Sequence, residues 1–254
     1  MVYFIGAGPG AADLITVRGA ELLKKADVII YAGSLVNPAL LDYAKKECKI
    51  YNSAEMTLEE VIEVMKENRD REVVRLHTGD PCIYGAIREQ MDLLDEAGIE
   101  YASVPGVSSF IGAAAALNAE YTLPDVSQTV ILTRMAGRTP VPEKEEISKL
   151  AAHGATMVVF LTSTMLKELS GRLIEGGYAP DSPAAIVYKA TWEDEKKFVC
   201  TVGTLAQTAK ENQITKTALM IIGEAANASH YDRSLLYHPE FTTEFREGKK
   251  QKEQ

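Results

Sequence analysis

The chain has few residues suited to disulfide or metal chemistry. Its three cysteines, Cys48, Cys82 and Cys200, stand far apart with no C-x-x-C pair, which removes both a disulfide framework and a thiolate metal site. Four histidines, His77, His153, His230 and His238, are equally dispersed, with no H-E-x-x-H and no Cys/His cluster; no protein-bound metal is expected. Excess positive charge is also missing. The formal net charge is −9, which argues against general affinity for nucleic acid. No apolar run approaches the ~20 residues that span a bilayer, so no membrane partner is expected. The start, Met1-Val2-Tyr3-Phe4, lacks the basic region and apolar stretch of a secretory signal, and a cytoplasmic protein with reduced thiols is the expectation. Neither a solenoid-period repeat nor a low-complexity segment is present.

What is present is ordinary globular material: 254 residues, 46% hydrophobic and 25% charged, enough for one or two domains with a buried core. Short β-branched runs alternate with longer amphipathic segments, an α/β pattern. Strands are predicted at 2–6, 27–31, 48–51, 72–76 and 99–103, and helices at 16–26, 38–46, 57–68, 84–97 and, rich in alanine, 108–117. Thr57-Leu58-Glu59-Glu60 reads as a capping box. After Tyr121-Thr122-Leu123-Pro124-Asp125 the pattern restarts, now with consecutive strands: 127–133, 156–161, 184–189, 197–202 and 217–222, with helices at 142–152, 163–176 and 203–212. The predicted organisation is an N-terminal α/β domain over 1–122, built on a mainly parallel sheet with flanking helices, and a C-terminal mixed α/β domain over 123–237. A charged tail over 238–254 is expected to fray. Glu193-Asp194-Glu195-Lys196-Lys197 reads as an exposed hairpin turn, with Trp192 packing beside it.

Three strand ends carry the chemistry. The first strand runs into Gly6-Ala7-Gly8-Pro9-Gly10 and then Asp13-Leu14-Ile15-Thr16, where a helix can begin. Glycines admit positive φ and close approach, Pro9 stiffens the turn, and the helix offers unpaired N–H groups. The second is Arg75-Leu76-His77-Thr78-Gly79-Asp80-Pro81-Cys82-Ile83-Tyr84-Gly85, in which Asp80 can accept from a bound amine or hydroxyl. The third is Val104-Pro105-Gly106-Val107-Ser108-Ser109, whose serines would equally serve as a helix cap. On one parallel sheet these turns would share the carboxyl edge, where open α/β sheets bind ligands.

Gly6, Gly8 and Ala11 also fit the loose dinucleotide pattern G-x-G-x-x-[GA], the mark of an NAD-binding oxidoreductase or of a non-catalytic nucleotide-binding module. The next strand, however, ends Tyr31-Ala32-Gly33, without the acid that would hold a ribose. In Thr133-Arg134-Met135-Ala136-Gly137-Arg138-Thr139-Pro140, two arginines flank a glycine in a loop, and guanidinium forks suit carboxylates.

Taken together, Gly6–Gly10 with Leu14-Ile15-Thr16, Arg75–Gly85, Val104–Ser109 and Thr217-Ala218-Leu219-Met220-Ile221-Ile222-Gly223-Glu224 resemble, in order and over nearly the whole chain, the tetrapyrrole (corrin/porphyrin) methyltransferases. The resemblance implies two α/β domains with the ligand cleft between them, S-adenosyl-L-methionine as methyl donor, a tetrapyrrole substrate and a homodimer. Carried over by motif, the donor contacts are Pro9, Thr78, Gly79, Asp80, Ile83, Ser108, Ser109, Leu161, Ala190 and Ala218; Leu161 and Ala190 are placed by strand position rather than by a sharp motif. Arg134 and Arg138 are the expected holders of substrate carboxylates, and no catalytic base is identified. Tyr31–Val36 with Arg134–Pro140 looks like the members that methylate precorrin-4 or cobalt-precorrin-4 at ring carbon 11 in cobalamin synthesis. The members acting on uroporphyrinogen III carry Asp where this chain has Ala32. Other precorrin methylases, diphthine synthases and ribosomal-RNA ribose methylases share the donor motifs and are the alternatives within the superfamily.

Overall fold

Five short runs, three of them rich in valine, isoleucine and leucine, pair into a single sheet in the first half of the chain. In the computed structural model, which describes residues 1–227 and 231–249, these are β1 (Val2–Gly6), β2 (Val28–Tyr31), β3 (Lys49–Asn52), β4 (Val73–His77) and β5 (Tyr101–Val104). They lie in the order β3-β2-β4-β1-β5, every pairing parallel. Parallel neighbours need crossovers, supplied in part by α1 (Val17–Lys25), α2 (Leu58–Glu67) and α3 (Arg88–Glu96); α4 (Ser109–Leu117) follows β5. Alternate side chains feed opposite faces. Phe4, Val28, Ile30 and Val73 pack with Ile62 and Met65 of α2 and Leu94 of α3, while Ile5, Ile29, Val74 and Leu76 pack with Leu23 of α1. Burial on both faces is why the inner strands β1, β2 and β4 read as mainly apolar runs. The order has a functional consequence: the chain leaves β1 toward β2 on one side and leaves β4 toward β5 on the other, although β1 and β4 are neighbours. Their following turns diverge, which is the switch point where such sheets bind ligands.

The chain divides into two compact units, one comprising Met1–Ala116 with Lys189–Lys196, the other Leu117–Tyr188 with the chain from Lys197 onward. The second unit is built on β6 (Val130–Arg134), β7 (Thr156–Phe160), β8 (Pro183–Tyr188), β9 (Lys196–Thr201) and β10 (Ala218–Ile222), in the order β6-β7-β10-β8-β9. The sheet is mixed: β6 runs parallel to β7, and β10 antiparallel to β7 and β8. With α5 (Ile147–Ala151), α6 (Leu166–Glu175) and α7 (Leu205–Glu211), it buries Met157, Val159, Ile186 and Met220 against Leu169, Leu173 and Leu205.

Local signals account for most boundaries. Thr16 caps α1 through Gly19 N at 3.2 Å, and the capping box of α2 is complete, Glu60 N donating to Thr57 and Thr57 N to Glu60. Three helices predicted from the sequence are corrected. Residues 38–46 form a 3-10 segment, Pro38–Tyr43, in which only Leu40 is buried, so no α-helical stripe can face the core. The helix predicted at 84–97 starts at Arg88, because Tyr84 and Ala86 have φ of 56° and 49°, outside the right-handed helical region. The helix predicted at 142–152 is α5, preceded by a 3-10 turn over Glu143–Glu145. Of the segment expected to fray, residues 238–249 turn around Arg246, whose guanidinium donates to the carbonyls of Leu236, His238 and Phe241; residues 250–254 lie outside the described residues.

Candidate functional site

The three glycine-marked turns converge on the carboxyl edge of the parallel sheet. Gly8 and Gly79, with φ of +83° and +60°, are joined by a pair of backbone hydrogen bonds, Gly8 N to Gly79 O at 3.2 Å and Gly79 N to Gly8 O at 2.8 Å. Ala7 N donates to His77 O at 2.7 Å, continuing the β1–β4 ladder into the turns. A Cβ on Gly6 would lie 2.5 Å from both Gly106 Cα and Gly79 O. Only glycine lets three backbones pass this closely.

Asp80 completes the join. One carboxylate oxygen accepts from Cys82 N at 2.8 Å and the other from Gly106 N at 2.8 Å, tying the second turn to the third. Burial pushes the Asp80 carboxyl up, but hydrogen bonds from Cys82 and Gly106 outweigh it and hold the group below the ordinary carboxylate value. Both of its oxygens brace the backbone, and each keeps acceptor capacity for the bound amine or hydroxyl expected from the sequence.

The first unit therefore brings Pro9, Thr78, Gly79, Asp80, Ser108 and Ser109 to one edge, with Ile83 in the Asp80 turn through Ile83 N to Asp80 O at 3.2 Å. Ser108 is buried, Thr78 and Ser109 are half-buried, and Ser109 opens α4, whose first N–H groups face out of the helix start. Ala190 is in the same unit, its carbonyl 2.9 Å from where a Cβ on Gly10 would stand. The remaining two residues fall in the second unit. Leu161 follows β7 with φ 53° and an exposed side chain, and Ala218 opens β10, its carbonyl accepting from Ser163 Oγ at 3.4 Å.

At the end of β6, Arg134 spends its guanidinium on its own loop, donating to Met135 O at 3.2 Å, Thr139 O at 3.2 Å and Pro140 O at 2.8 Å. It shapes the loop that was expected to receive carboxylates. Beside it a small recess is lined by Arg134 and Arg172 but also by Glu146 and Glu168, a mixed field that does not by itself attract anions. Arg138 is exposed and has no protein partner among the described residues.

Sequence reasoning missed two polar features. Arg75 is buried on β4, with Nε donating to Gln90 Oε1 at 3.1 Å and a terminal nitrogen to Ile30 O at 3.2 Å; burial lowers its pKa to about 10. Next along that face, His77 is 4% exposed, stacks on Phe4, and leaves Nε2 without a partner. Burial, then Arg75, lowers its pKa to about 3, so His77 is neutral at physiological pH and does not shuttle protons there. The second feature is the set of side chains on the first turn. Asn37 Nδ2 donates to Gly10 O at 2.8 Å, Thr191 Oγ1 accepts from Ala11 N at 3.0 Å, and Trp192 Nε1 donates to Pro9 O at 3.2 Å. The one available signal was a glycine at position 10, where a side chain would collide with Trp192. Among the described residues no group of three or more His, Cys, Asp or Glu could hold a metal, and no helix is long and apolar enough to cross a membrane.

Comparison with known proteins identifies the family. The family described as Tetrapyrrole (Corrin/Porphyrin) Methylases matches residues 1–206. The cobalt-precorrin-4 C(11)-methyltransferase of Methanocaldococcus jannaschii is 52% identical over 98% of this chain and 97% of its own length. The protein of the same name from Priestia megaterium is 48% identical over 98% of each. Among solved structures, the X-ray structure of a cobalt precorrin-4 methyltransferase, a cobalamin biosynthetic enzyme, superposes with a TM-score of 0.87 at 48% identity, covering 89% of this chain and 95% of that one. With the family matched over most of its length and near-full-length relatives at about half identity, the chain belongs to the tetrapyrrole (corrin/porphyrin) methylases and is a methyltransferase.

Proposed function

We propose that this protein transfers a methyl group from S-adenosyl-L-methionine to ring carbon 11 of precorrin-4 or cobalt-precorrin-4 in cobalamin biosynthesis. The observation that carries the reading is the closure of three turns at the β1–β4 switch point, Gly8 on Gly79 and Asp80 on Gly106, in a chain whose relatives at 52% and 48% identity bear that name. The donor set suits an adenosyl amino acid: hydroxyls at Thr78, Ser108 and Ser109 and the N–H groups opening α4 for its polar end, Pro9, Ile83 and Ala190 for its apolar surface. Leu161 and Ala218 keep the donor-contact role that the family motif gives them.

The donor supplies a methyl already activated on a sulfonium, so the protein needs no covalent nucleophile. Orientation is the chain's own contribution, and well-placed reactants gain roughly 7–11 kcal/mol in this way. The backbone joins at Gly8, Gly79 and Gly106 fix the turns before a ligand arrives, so the cost of ordering them is met in folding. Arg138 offers a free guanidinium to substrate carboxylates. We also propose a cytoplasmic homodimer; the exposed Leu235, Leu236, Tyr237 and Phe245 supply apolar surface for self-association, and sedimentation at two protein concentrations tests it.

The test of the reaction is incubation with methyl-labelled S-adenosylmethionine and a panel of metal-free and cobalt-bearing corrin precursors, followed by location of the label. Label at ring carbon 11 of the precorrin-4 form is expected; label at another carbon, or in none of the panel, overturns the proposal. Titration with NAD, expected to show no binding, separates the oxidoreductase alternative.

A further inference from the structure

The turn between β8 and β9 carries the charge run read at 193–197, and the residues just before that run, Thr191 and Trp192, pack on the first glycine turn. Trp192 Nε1 donates to Pro9 O at 3.2 Å and Thr191 Oγ1 accepts from Ala11 N at 3.0 Å. Gly10 has no room for a side chain because the Trp192 indole fills it, and a Cβ on Gly112 of α4 would lie 2.9 Å from Pro9 Cβ and 3.3 Å from Thr191 Cγ2. Thr191 is β-branched and has φ of 69°, a strained conformation that persists only when its surroundings impose it. Here they do. Glu195 accepts from Thr191 N at 2.6 Å, Lys189 bonds Asp194 at 2.7 Å, and the Lys189 ammonium lies 5.5 Å from the Trp192 ring centroid. Two of the charges in the run, Asp194 and Glu195, thus hold this segment's shape.

We infer that Trp192 and Thr191 are positioning residues for the methyl-donor site: they fix the Pro9–Ala11 backbone in its ligand-receiving form. This rests on the proposed use of S-adenosylmethionine. The geometry supports the role because the two contacts engage the Pro9 carbonyl and the Ala11 N–H, on either side of Gly10 in one turn, from 183 and 180 residues away in sequence, and because a strained threonine is retained to make one of them.

The protein carries a single tryptophan, so indole fluorescence excited at long wavelength reports Trp192 alone. Titrating the wild-type protein with S-adenosylhomocysteine, read by calorimetry and by this fluorescence, is expected to give the same Kd from both. W192F keeps an aromatic ring and loses the N–H; its Kd for S-adenosylhomocysteine is expected to rise about 3- to 10-fold, the range for one lost hydrogen bond. G10A, with Trp192 intact, is expected to red-shift the indole emission and weaken binding similarly. Calorimetric binding with silent fluorescence, or W192F and G10A variants that melt lower but bind as the wild type does, overturns the role and leaves the donor reading standing. No calorimetric binding to the wild type refutes the donor reading, and the positioning role with it.

Discussion

Replacing Asp80 by Asn separates two roles for this side chain, as a join between turns or as a ligand contact. Asparagine keeps the shape but offers one acceptor oxygen where the carboxylate offers two, and the carboxylate meets Cys82 N and Gly106 N, each at 2.8 Å, with different oxygens. One backbone N–H must then face an amide NH2, and an unsatisfied donor costs about 1–3 kcal/mol. For a protein of this size that lowers the melting temperature by roughly 3–10 °C. As the third turn loosens, affinity for S-adenosylhomocysteine should fall several-fold. The pH dependence has a definite sign. The native Asp80 pKa lies below its ordinary value of 3.8, so the stabilisation is fully present above that pH and fades as pH falls through the native value. The gap between wild type and D80N should therefore be constant from pH 6 to 8 and narrow below about 4. Melting curves and calorimetric titrations on both proteins read all three quantities. A D80N variant that melts like the wild type but binds poorly would make Asp80 a ligand contact; one unchanged in both measurements would refute the join altogether.

Gly6→Ala places a methyl 2.5 Å from the backbone of Gly106 and Gly79; destabilisation by about 1–3 kcal/mol, measured by urea denaturation, is expected together with lost donor binding, and an unperturbed variant would contradict the three-backbone contact. His77, its pKa lowered to about 3 from 6.5 by burial, is a neutral group that the unfolded chain protonates first, so its contribution to stability is whole above pH 6.5 and declines as pH falls. From pH 6.5 to 5 the loss should be about 2 kcal/mol in the wild type and absent in H77F, and parallel urea midpoints for the two proteins would disprove it. Arg138→Leu should weaken binding of the carboxylate-rich substrate with no change in melting, whereas Arg134→Leu should lower both because Arg134 holds three carbonyls of its own loop; equal melting of the two variants would sink the distinction.

The parallel sheet was legible because strands buried on both faces leave unbroken runs such as Val28-Ile29-Ile30, and the capping box at Thr57 marked its helix to within a residue. The turns were legible as glycine clusters, and their placement on one edge followed from the strand-to-turn pattern. What could not be read was whatever depended on partners distant in sequence. Nothing local distinguishes an Asp80 that receives a ligand from one that receives Gly106 N, 26 residues on. The late start of α3 depended on left-handed Tyr84 and Ala86, residue types that give no warning of it. The charge run at 193–197 looked solvated because the pairing of Asp194 with Lys189 and of Glu195 with Thr191 N depends on how the chain turns there, which composition does not show.

Membership of residues 189–196 in the N-terminal unit also sets an order of events during synthesis. The ribosome releases the glycine turn at the beginning of its task, yet the indole and hydroxyl that steady that turn emerge only after more than a hundred and fifty further residues. At translation speeds of about 5–20 residues per second, the nascent sheet waits roughly ten seconds or longer with its ligand edge unfinished. A truncation ending before residue 189, which also lacks Ala190 and Ala218, should consequently hold the donor more weakly than the full chain, however well its first sheet has formed.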